Sequence, residues 1–372
     1  MPTSIVIAAG GTGGHIYPGL ALAEAIKTIE PQAKVSFVGT PRGLEKKLIP
    51  EAGYRLALVD MVPFSGSSRF TLPIALARST LQCRKVLKAE HADVAVAMGG
   101  YAGVPLILAA KLAAVPSLIH ESGAVAGKAN LLAARLTPNV ALAFDSASGP
   151  FANAQDLRIV GMPLRAGFAG FDRDALRNEG RAMFDVQPDQ FLLLAMGGSQ
   201  GAASINHAVV GLAGMWRSRP DFRAVIKAGP THFEKVTAGL KDNGGDAVCT
   251  CVPFIDNIEM AYAAADLGLF RAGAGTIAEL AVVGLPSILV PYPFAPADHQ
   301  TLNAEVLSGK GAATIVKDHM LSAETLAEAL IGLVEDRSQV EKMRANALGE
   351  AKPNAAFDLA RWVLSLAPSS EQ

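Results

Sequence analysis

The chain has 372 residues, half of them hydrophobic and 18% charged, with a formal net charge of −1. That is too long for one ordinary core and comfortable for two, and it supplies no overall field for a polyanion such as nucleic acid. Three cysteines, Cys83, Cys249 and Cys251, form neither an even framework nor a CxxC, and they fit a reducing compartment.

From the N-terminus, Met1-Pro2-Thr3-Ser4 lacks the basic region of a secretory signal. Strands are expected at 4–9, 35–38, 55–59, 93–97, 117–119 and 139–143, with helices near 18–29, 42–50, 73–89, 103–113 and 126–135. The most apolar stretch, 102–119, is broken by Pro105, Lys111 and Pro116, short of a membrane span. A joint is expected at Gly161-Met162-Pro163-Leu164-Arg165, because proline biases Met162 away from helix. Asp172-Arg173-Asp174 precedes a helical run and reads as a cap, not a metal site. Beyond it strands are expected at 191–196, 223–228, 247–252, 266–270, 287–290 and 312–316. Helices are expected near 202–217, 232–240, 257–264, 276–284 and 299–309, then at 322–335, 338–350 and 354–366. Continuous apolar strands alternating with helices imply α/β domains with parallel sheets covered on both faces. The expected division is 1–162 and 163–352, with 353–367 crossing back onto the first domain.

The chemistry concentrates where strands meet glycines. Ile5-Val6-Ile7-Ala8-Ala9 runs into Gly10-Gly11-Thr12-Gly13-Gly14-His15, and 93–97 into Met98-Gly99-Gly100-Tyr101. Phe191 to Met196 runs into Gly197-Gly198-Ser199-Gln200-Gly201. One such turn can serve strand–helix packing alone; three, each after an apolar strand, point to anions held on helix N-termini. A dinucleotide dehydrogenase fits poorly, since Ile16 stands at the third glycine and the second strand ends in Gly39-Thr40 without an acid. No GxxxxGK[ST] is present, which removes a P-loop NTPase. Arg271 to Glu279 repeats the strand-to-helix form, with a carboxylate suited to sugar hydroxyls, and 291–303 is a proline-stiffened loop delivering four polar side chains at a helix entrance, with Asp298-His299-Gln300-Thr301 at its centre.

Together these segments resemble the MurG family of peptidoglycan N-acetylglucosaminyltransferases over nearly the whole chain. The resemblance adds His120-Glu121, Gly161 to Arg165 and Phe254-Ile255-Asp256 to the segments above. It implies the GT-B fold, two Rossmann-like domains with parallel sheets facing a deep cleft, and inverting transfer from UDP-N-acetylglucosamine to the muramyl 4-hydroxyl of lipid I. The donor residues it implies are Thr12, Gly13, Gly14, Arg165, Ser199, Ile255, Ala274, Gly275, Thr276, Ile277, Ala278, Glu279 and Gln300. The acceptor diphosphate falls to Gly13, Gly14, Gly99, Gly100 and Tyr101. His15 is the first candidate for the general base, with Glu121 and Tyr101 as alternatives. No cofactor, metal or nucleic-acid partner is expected. One departure stands out: Ser122-Gly123 replaces the family's usual Gln-Asn, so a side-chain contact to the donor sugar is missing, and Asn130 does not supply it by position.

A membrane contact is read from the residues themselves. Between Asp60 and Glu90 there is no acid, while Arg69, Arg78, Arg84, Lys85 and Lys88 interleave with Phe64, Phe70, Leu72, Ile74 and Leu76. Apolar groups ringed by bases suit an anionic membrane surface, so 63–88, and 63–72 above all, are expected to dock on one; the resemblance, through an acceptor with a polyprenyl tail, implies that this is peripheral contact with the cytoplasmic face of the plasma membrane. A related lipid glycosyltransferase, a UDP-sugar epimerase and a nucleotide-sugar-binding scaffold remain alternatives.

Overall fold

The computed structural model describes residues 2–11, 13–62, 72–198 and 201–368, and the chain divides into two α/β units. The first comprises Met1–Ala169 and Lys352–Gln372, the second Gly170–Ala351.

In the first unit the order is β1 (Ser4–Ala8), α1 (Gly13–Ile29), β2 (Lys34–Gly39), α2 (Glu45–Glu51), β3 (Arg55–Leu58), α3 (Leu72–Ala89) and β4 (Val94–Ala97). Then follow α4 (Gly103–Leu112), β5 (Ser117–Glu121), α5 (Lys128–Ala133), β6 (Asn139–Leu142), β7 (Asp156–Ile159) and α6 (Ala166–Ala169). Every strand pairing is parallel, in the order β3-β2-β1-β4-β5-β6-β7. The central strands β1 and β4 are buried along their whole length because helices cover both faces. The edge strand β7, Asp-Leu-Arg-Ile, is half exposed and carries no such run, which is why apolar patterning passes over it.

The second unit runs α7 (Arg173–Met183), β8 (Phe191–Met196), α8 (Ala203–Met215), β9 (Phe222–Lys227), α9 (Phe233–Asn243), β10 (Cys249–Val252), α10 (Ile258–Ala264) and β11 (Leu267–Phe270). It continues α11 (Ala274–Val283), β12 (Ser287–Leu289), α12 (His299–Ser308), β13 (Ala313–Ile315), α13 (Ala323–Glu335) and α14 (Arg337–Gly349). Its sheet is again parallel, in the order β10-β9-β8-β11-β12-β13. The last helix, α15 (Ala355–Ser365), packs on α1 and puts Leu359, Trp362 and Val363 into the first core. Arg158 of β7 stacks 4.2 Å over Trp362 and pins that return.

Three boundaries differ from the sequence reading. α1 starts at Gly13, not Pro18, so Gly13 and Gly14 lie in its first turn and Pro18 sits inside the helix. β5 extends through His120 and Glu121, carrying both to the strand's carboxyl end. The 161–165 segment belongs wholly to the first unit: Gly161 accepts a hydrogen bond from buried His120, and the following Phe168 is buried. The division therefore falls after Ala169. Asp172 does cap α7, accepting from the Asp174 and Ala175 amides.

Candidate functional site

In each sheet the strand order reverses beside the unit's first strand, between β1 and β4 and between β8 and β11. Crevices at the carboxyl ends of strands at such reversals are the default ligand sites of open parallel sheets. The glycine turns, helix starts and candidate polar residues gather at these two edges.

At the first edge, the His15 ring lies against the turn after β4. A β-carbon on Gly99 would fall 2.8 Å from His15 Cδ2 and 2.9 Å from Nε2, and Gly99 has φ 99°, a conformation L-residues rarely adopt. His15 Nδ1 sits 3.3 Å from the Gly10 carbonyl, so Nδ1 carries the proton and Nε2 is left as the acceptor. Burial lowers the His15 pKa below its ordinary value; nearby Glu121 and the Gly10 carbonyl oppose this only in part. The ring is neutral at pH 7 and suited to accept a proton.

Glu121 is buried and fully engaged. It accepts from Gly123 N (3.0 Å), Gly127 N (2.8 Å) and Asn130 Nδ2 (3.0 Å). Asn130 also donates to the His120 carbonyl at 3.0 Å. This Asn130 amide therefore holds the 122–130 loop, and does not stand in for a side chain at Gly123. His120 donates Nε2–H to the Gly161 carbonyl at 2.9 Å, and burial drives its pKa down to about 4.

The sequence reading missed Glu45. This carboxylate is wholly buried and accepts from Thr40 N (2.9 Å), Thr40 Oγ1 (2.8 Å) and Gly11 N (3.1 Å). A β-carbon on Gly10 would lie 2.8 Å from Glu45 Oε1, so glycine there admits the carboxylate. Tyr101 Oη is 3.3 Å from Thr40 Oγ1. Because the Thr40 hydroxyl donates to Glu45, the Tyr101 proton points at Thr40. One carboxylate thus braces both glycine turns of this unit, and the Tyr101 hydroxyl is engaged with Thr40. Only an acid at the start of a short helix marked it in the sequence.

At the second edge, α11 begins at Ala274, two residues earlier than expected, with Gly273 as its N-cap. Ala274, Gly275 and Thr276 are half-exposed in its first turn, while Ile277 and Ala278 face the core, so those two can offer backbone only. Glu279 accepts from Tyr262 Oη at 2.8 Å. Lys227, at the end of β9, is a cation that sequence reasoning passed over. Burial lowers its pKa and the charge of Glu279 opposes this in part, and its Nζ stands 6.0 Å over the exposed Phe254 ring. Ile255 follows in the same loop with its side chain buried. Gln300 Oε1 accepts from Tyr292 N at 2.9 Å, which leaves its amide donors uncommitted. His299 is tied through Nδ1 to the Pro296 carbonyl at 2.8 Å, and Asn303 Nδ2 holds the Ala272 carbonyl at 3.1 Å. Arg271 does not face outward: it binds the Val290 and Pro291 carbonyls, Ser204 Oγ and, at 2.5 Å, Asp318.

Arg165 lies in the first unit, exposed, with its guanidinium 5.7 Å over Phe168. Thr12, Ser199 and 63–71 lie outside the described residues. In α3, Ile74 and Leu81 are exposed on one face with Arg78, Arg84, Lys85 and Lys88, while Ser79, Thr80, Cys83 and Leu87 are buried. Arg78 pairs with Asp60 at 3.0 Å. Among the described residues, no helix is long and apolar enough to cross a membrane.

Residues 5–142 match the glycosyltransferase family 28 N-terminal domain and residues 192–359 the glycosyltransferase family 28 C-terminal domain. A protein of Rhodococcus opacus (strain B4), a UDP-N-acetylglucosamine--N-acetylmuramyl-(pentapeptide) pyrophosphoryl-undecaprenol N-acetylglucosamine transferase, is 41% identical over 98% of this chain and 96% of its own. Its namesake in Paenarthrobacter aurescens (strain TC1) is 39% identical over 94% of this chain and 92% of its own. Among solved structures, Acinetobacter baumannii MurG superposes with a TM-score of 0.81 at 28% identity, over 98% of this chain and 100% of that one. A UDP-GlcNAc 2-epimerase from Neisseria meningitidis shares the fold, with a TM-score of 0.68 at 12% identity over 98% of this chain and 100% of that one.

Proposed function

The chain belongs to glycosyltransferase family 28 and to its MurG branch, and we propose that it transfers N-acetylglucosamine from UDP-N-acetylglucosamine to the muramyl 4-hydroxyl of lipid I, giving lipid II. The observation that carries this reading is the pair of diphosphate-ready edges on one chain, one with a neutral histidine and one with a carboxylate and uncommitted amide donors. The second unit (expected from sequence as 163–352) takes the donor. Helix α11 and Ser199 hold its diphosphate, Glu279 its ribose, the backbone at Ile255 its uracil and Gln300 its sugar. Arg165, Thr12, Gly13 and Gly14 add donor contacts from the first unit. That unit (expected as 1–162 with 353–367) takes the lipid I diphosphate at Gly13, Gly14, Gly99, Gly100 and Tyr101.

His15 Nε2 accepts the proton of the attacking 4-hydroxyl as the new bond forms and the bond to UDP breaks. Glu121 lies near the ring and supports the imidazolium that results. The charge growing on the leaving diphosphate is met by the free N–H groups at the start of α11 and by Lys227. The reading places the enzyme peripherally on the cytoplasmic face of the plasma membrane. The face of α3 bearing Ile74, Leu81 and four basic residues supports that contact, and 63–72 would extend it.

The test is UDP release from UDP-N-acetylglucosamine and a short-chain lipid I analogue. Release that depends on the analogue and yields the β-1,4-linked disaccharide is the expected result. Release without the analogue, or none with it, would overturn the proposal.

A further inference from the structure

Between β12 and α12 the chain runs Pro291-Tyr292-Pro293-Phe294-Ala295-Pro296-Ala297-Asp298, and Phe294 is 79% exposed, more than any other large hydrophobic side chain among the described residues. The loop that carries it is clamped at both ends to the turn leading from β11 into α11. At its entry Arg271 donates to the Val290 and Pro291 carbonyls at 3.1 and 3.2 Å. At its exit Asn303 Nδ2 donates to the Ala272 carbonyl at 3.1 Å.

Between those clamps the backbone has little freedom. Three prolines restrict it, and the Ala295 and Asp298 amides donate back to the Tyr292 and Ala295 carbonyls at 3.1 and 3.0 Å. Ala297 and Asp298 have φ of 54° and 50°, a left-handed conformation that costs an L-residue energy and persists where its surroundings impose it, most often beside a ligand. The Phe294 ring is itself propped. It meets Tyr292 edge-on, with centroids 5.6 Å apart and planes at 70°, and the Arg271 guanidinium lies 5.7 Å from the Tyr292 ring.

What such a ring fits follows from its neighbours. Tyr292 N binds Gln300 Oε1, so the loop that raises the ring also fixes an amide whose N–H donors are uncommitted. An apolar ring beside amide donors suits a sugar, which presents C–H groups on its faces and hydroxyls around its rim. An anionic membrane is a poor occupant, since residues 291–298 carry one acid, Asp298, and no base. The clamps on residues 271 and 272 keep the loop beside the start of α11, where the donor diphosphate is proposed to lie. We propose that Phe294 is a specificity-determining residue that packs against the N-acetylhexosamine of the bound nucleotide sugar; this rests on the reading that the second unit holds the donor.

The test measures affinities for UDP and for UDP-N-acetylglucosamine by calorimetry, on the full chain and on Phe294→Ala, Phe294→Leu and Phe294→Tyr. The nucleotide sugar should bind about three- to tenfold more weakly in Phe294→Ala and Phe294→Leu, with UDP affinity unchanged, while Phe294→Tyr keeps the wild-type affinity for both. Phe294→Leu retains apolar bulk, so its loss separates the aromatic face from mere filling of the loop. The ring is exposed, so melting temperatures should not move. Vesicles of phosphatidylglycerol, against phosphatidylcholine, form a second arm. Sedimentation equal to wild type supports the proposal; weaker sedimentation of Phe294→Ala with unchanged nucleotide-sugar affinity assigns the ring to a membrane and overturns it. Equal losses of UDP and UDP-N-acetylglucosamine affinity also overturn it, because the loop then serves the nucleotide alone. A wild-type chain that binds neither ligand defeats the proposed function and this inference with it. One that binds both, with Phe294→Ala unchanged, defeats the inference alone.

Discussion

Replacing Glu45 with glutamine should disable the acceptor side of the reaction while leaving the fold in place. The carboxylate has three donors around it and no exposure to water. In Glu45→Gln the amide oxygen can still serve the Thr40 amide and hydroxyl, but its N–H2 then faces the Gly11 N–H, donor against donor. The loss is one hydrogen bond to a charged group, about 1.5–3 kcal/mol, reduced because Gly11 is half-exposed and its N–H can turn to water. Against a stability of roughly 5–15 kcal/mol the unit stays folded, and the melting temperature falls by only about 2–4 °C per kcal/mol lost. What changes is the turn. Without its anchor, Gly11 no longer fixes the entry to α1. Steady-state kinetics with the lipid I analogue should show kcat/KM down by roughly tenfold or more, the equivalent of about 1.4 kcal/mol of misplacement. UDP affinity by calorimetry should be unaltered, since the second unit is the one proposed to hold UDP. A lower melting temperature with unchanged kcat/KM would refute the reasoning, as would a parallel fall in UDP affinity.

Three further outcomes follow from the same edge. His15→Ala should cut turnover by ~100-fold or more with little change in UDP-N-acetylglucosamine affinity, and the wild-type acid limb should lie below the ordinary histidine pKa because burial lowers that of His15; kcat/KM against pH measures both. Gly99→Ala adds a β-carbon 2.8 Å from His15 Cδ2 at a φ of 99°, so it should displace the ring and depress turnover about as far as losing His15, at a stability cost of only ~1–3 kcal/mol by urea unfolding. His120 titrates near 4 in the folded chain against an ordinary 6.5, so the unfolded chain alone takes up a proton between those values. Stability is full above 6.5 and falls as pH drops towards 4, by about 3 kcal/mol, and the slope flattens in His120→Gln; urea titrations across that range decide it.

What could be read from sequence divides along a physical line. Strands 191–196 and 93–97 were legible because a parallel strand buried on both faces is an unbroken apolar run, and the glycine turns because a backbone that must adopt positive φ has few alternatives to glycine. The edge strand β7 has neither mark. Helix starts were misplaced at Gly13 and Ala274 because glycine and alanine supply no side-chain cap, and the proline at position 18 offered a stronger, false start. The polar partners were the least legible. Glu45 lies 34 residues from the glycine it binds, and Lys227 closes a strand whose other residues, Arg223 apart, look like core. Such pairings are long-range, and spacing along the chain does not encode them.

The same point makes the two similar glycine turns unequal. The turn after β1 is fixed by a buried carboxylate that draws in Gly11 N and, through Thr40, Tyr101. At the second edge the fixed point is a cation: Arg271 ties the ends of β11 and β12 to Ser204 at the start of α8, and Asp318 closes the set by accepting from Ser204 Oγ at 2.6 Å. An anionic brace behind the first turn adds no positive field to it, so the charge of a bound diphosphate there must be met by helix α1 and the turn's own N–H groups. The second edge keeps Lys227 besides its helix starts. That asymmetry suits the chemistry assigned to each: the acceptor diphosphate stays intact and needs only a hold, while the donor diphosphate gains charge as it leaves and is met by a cation.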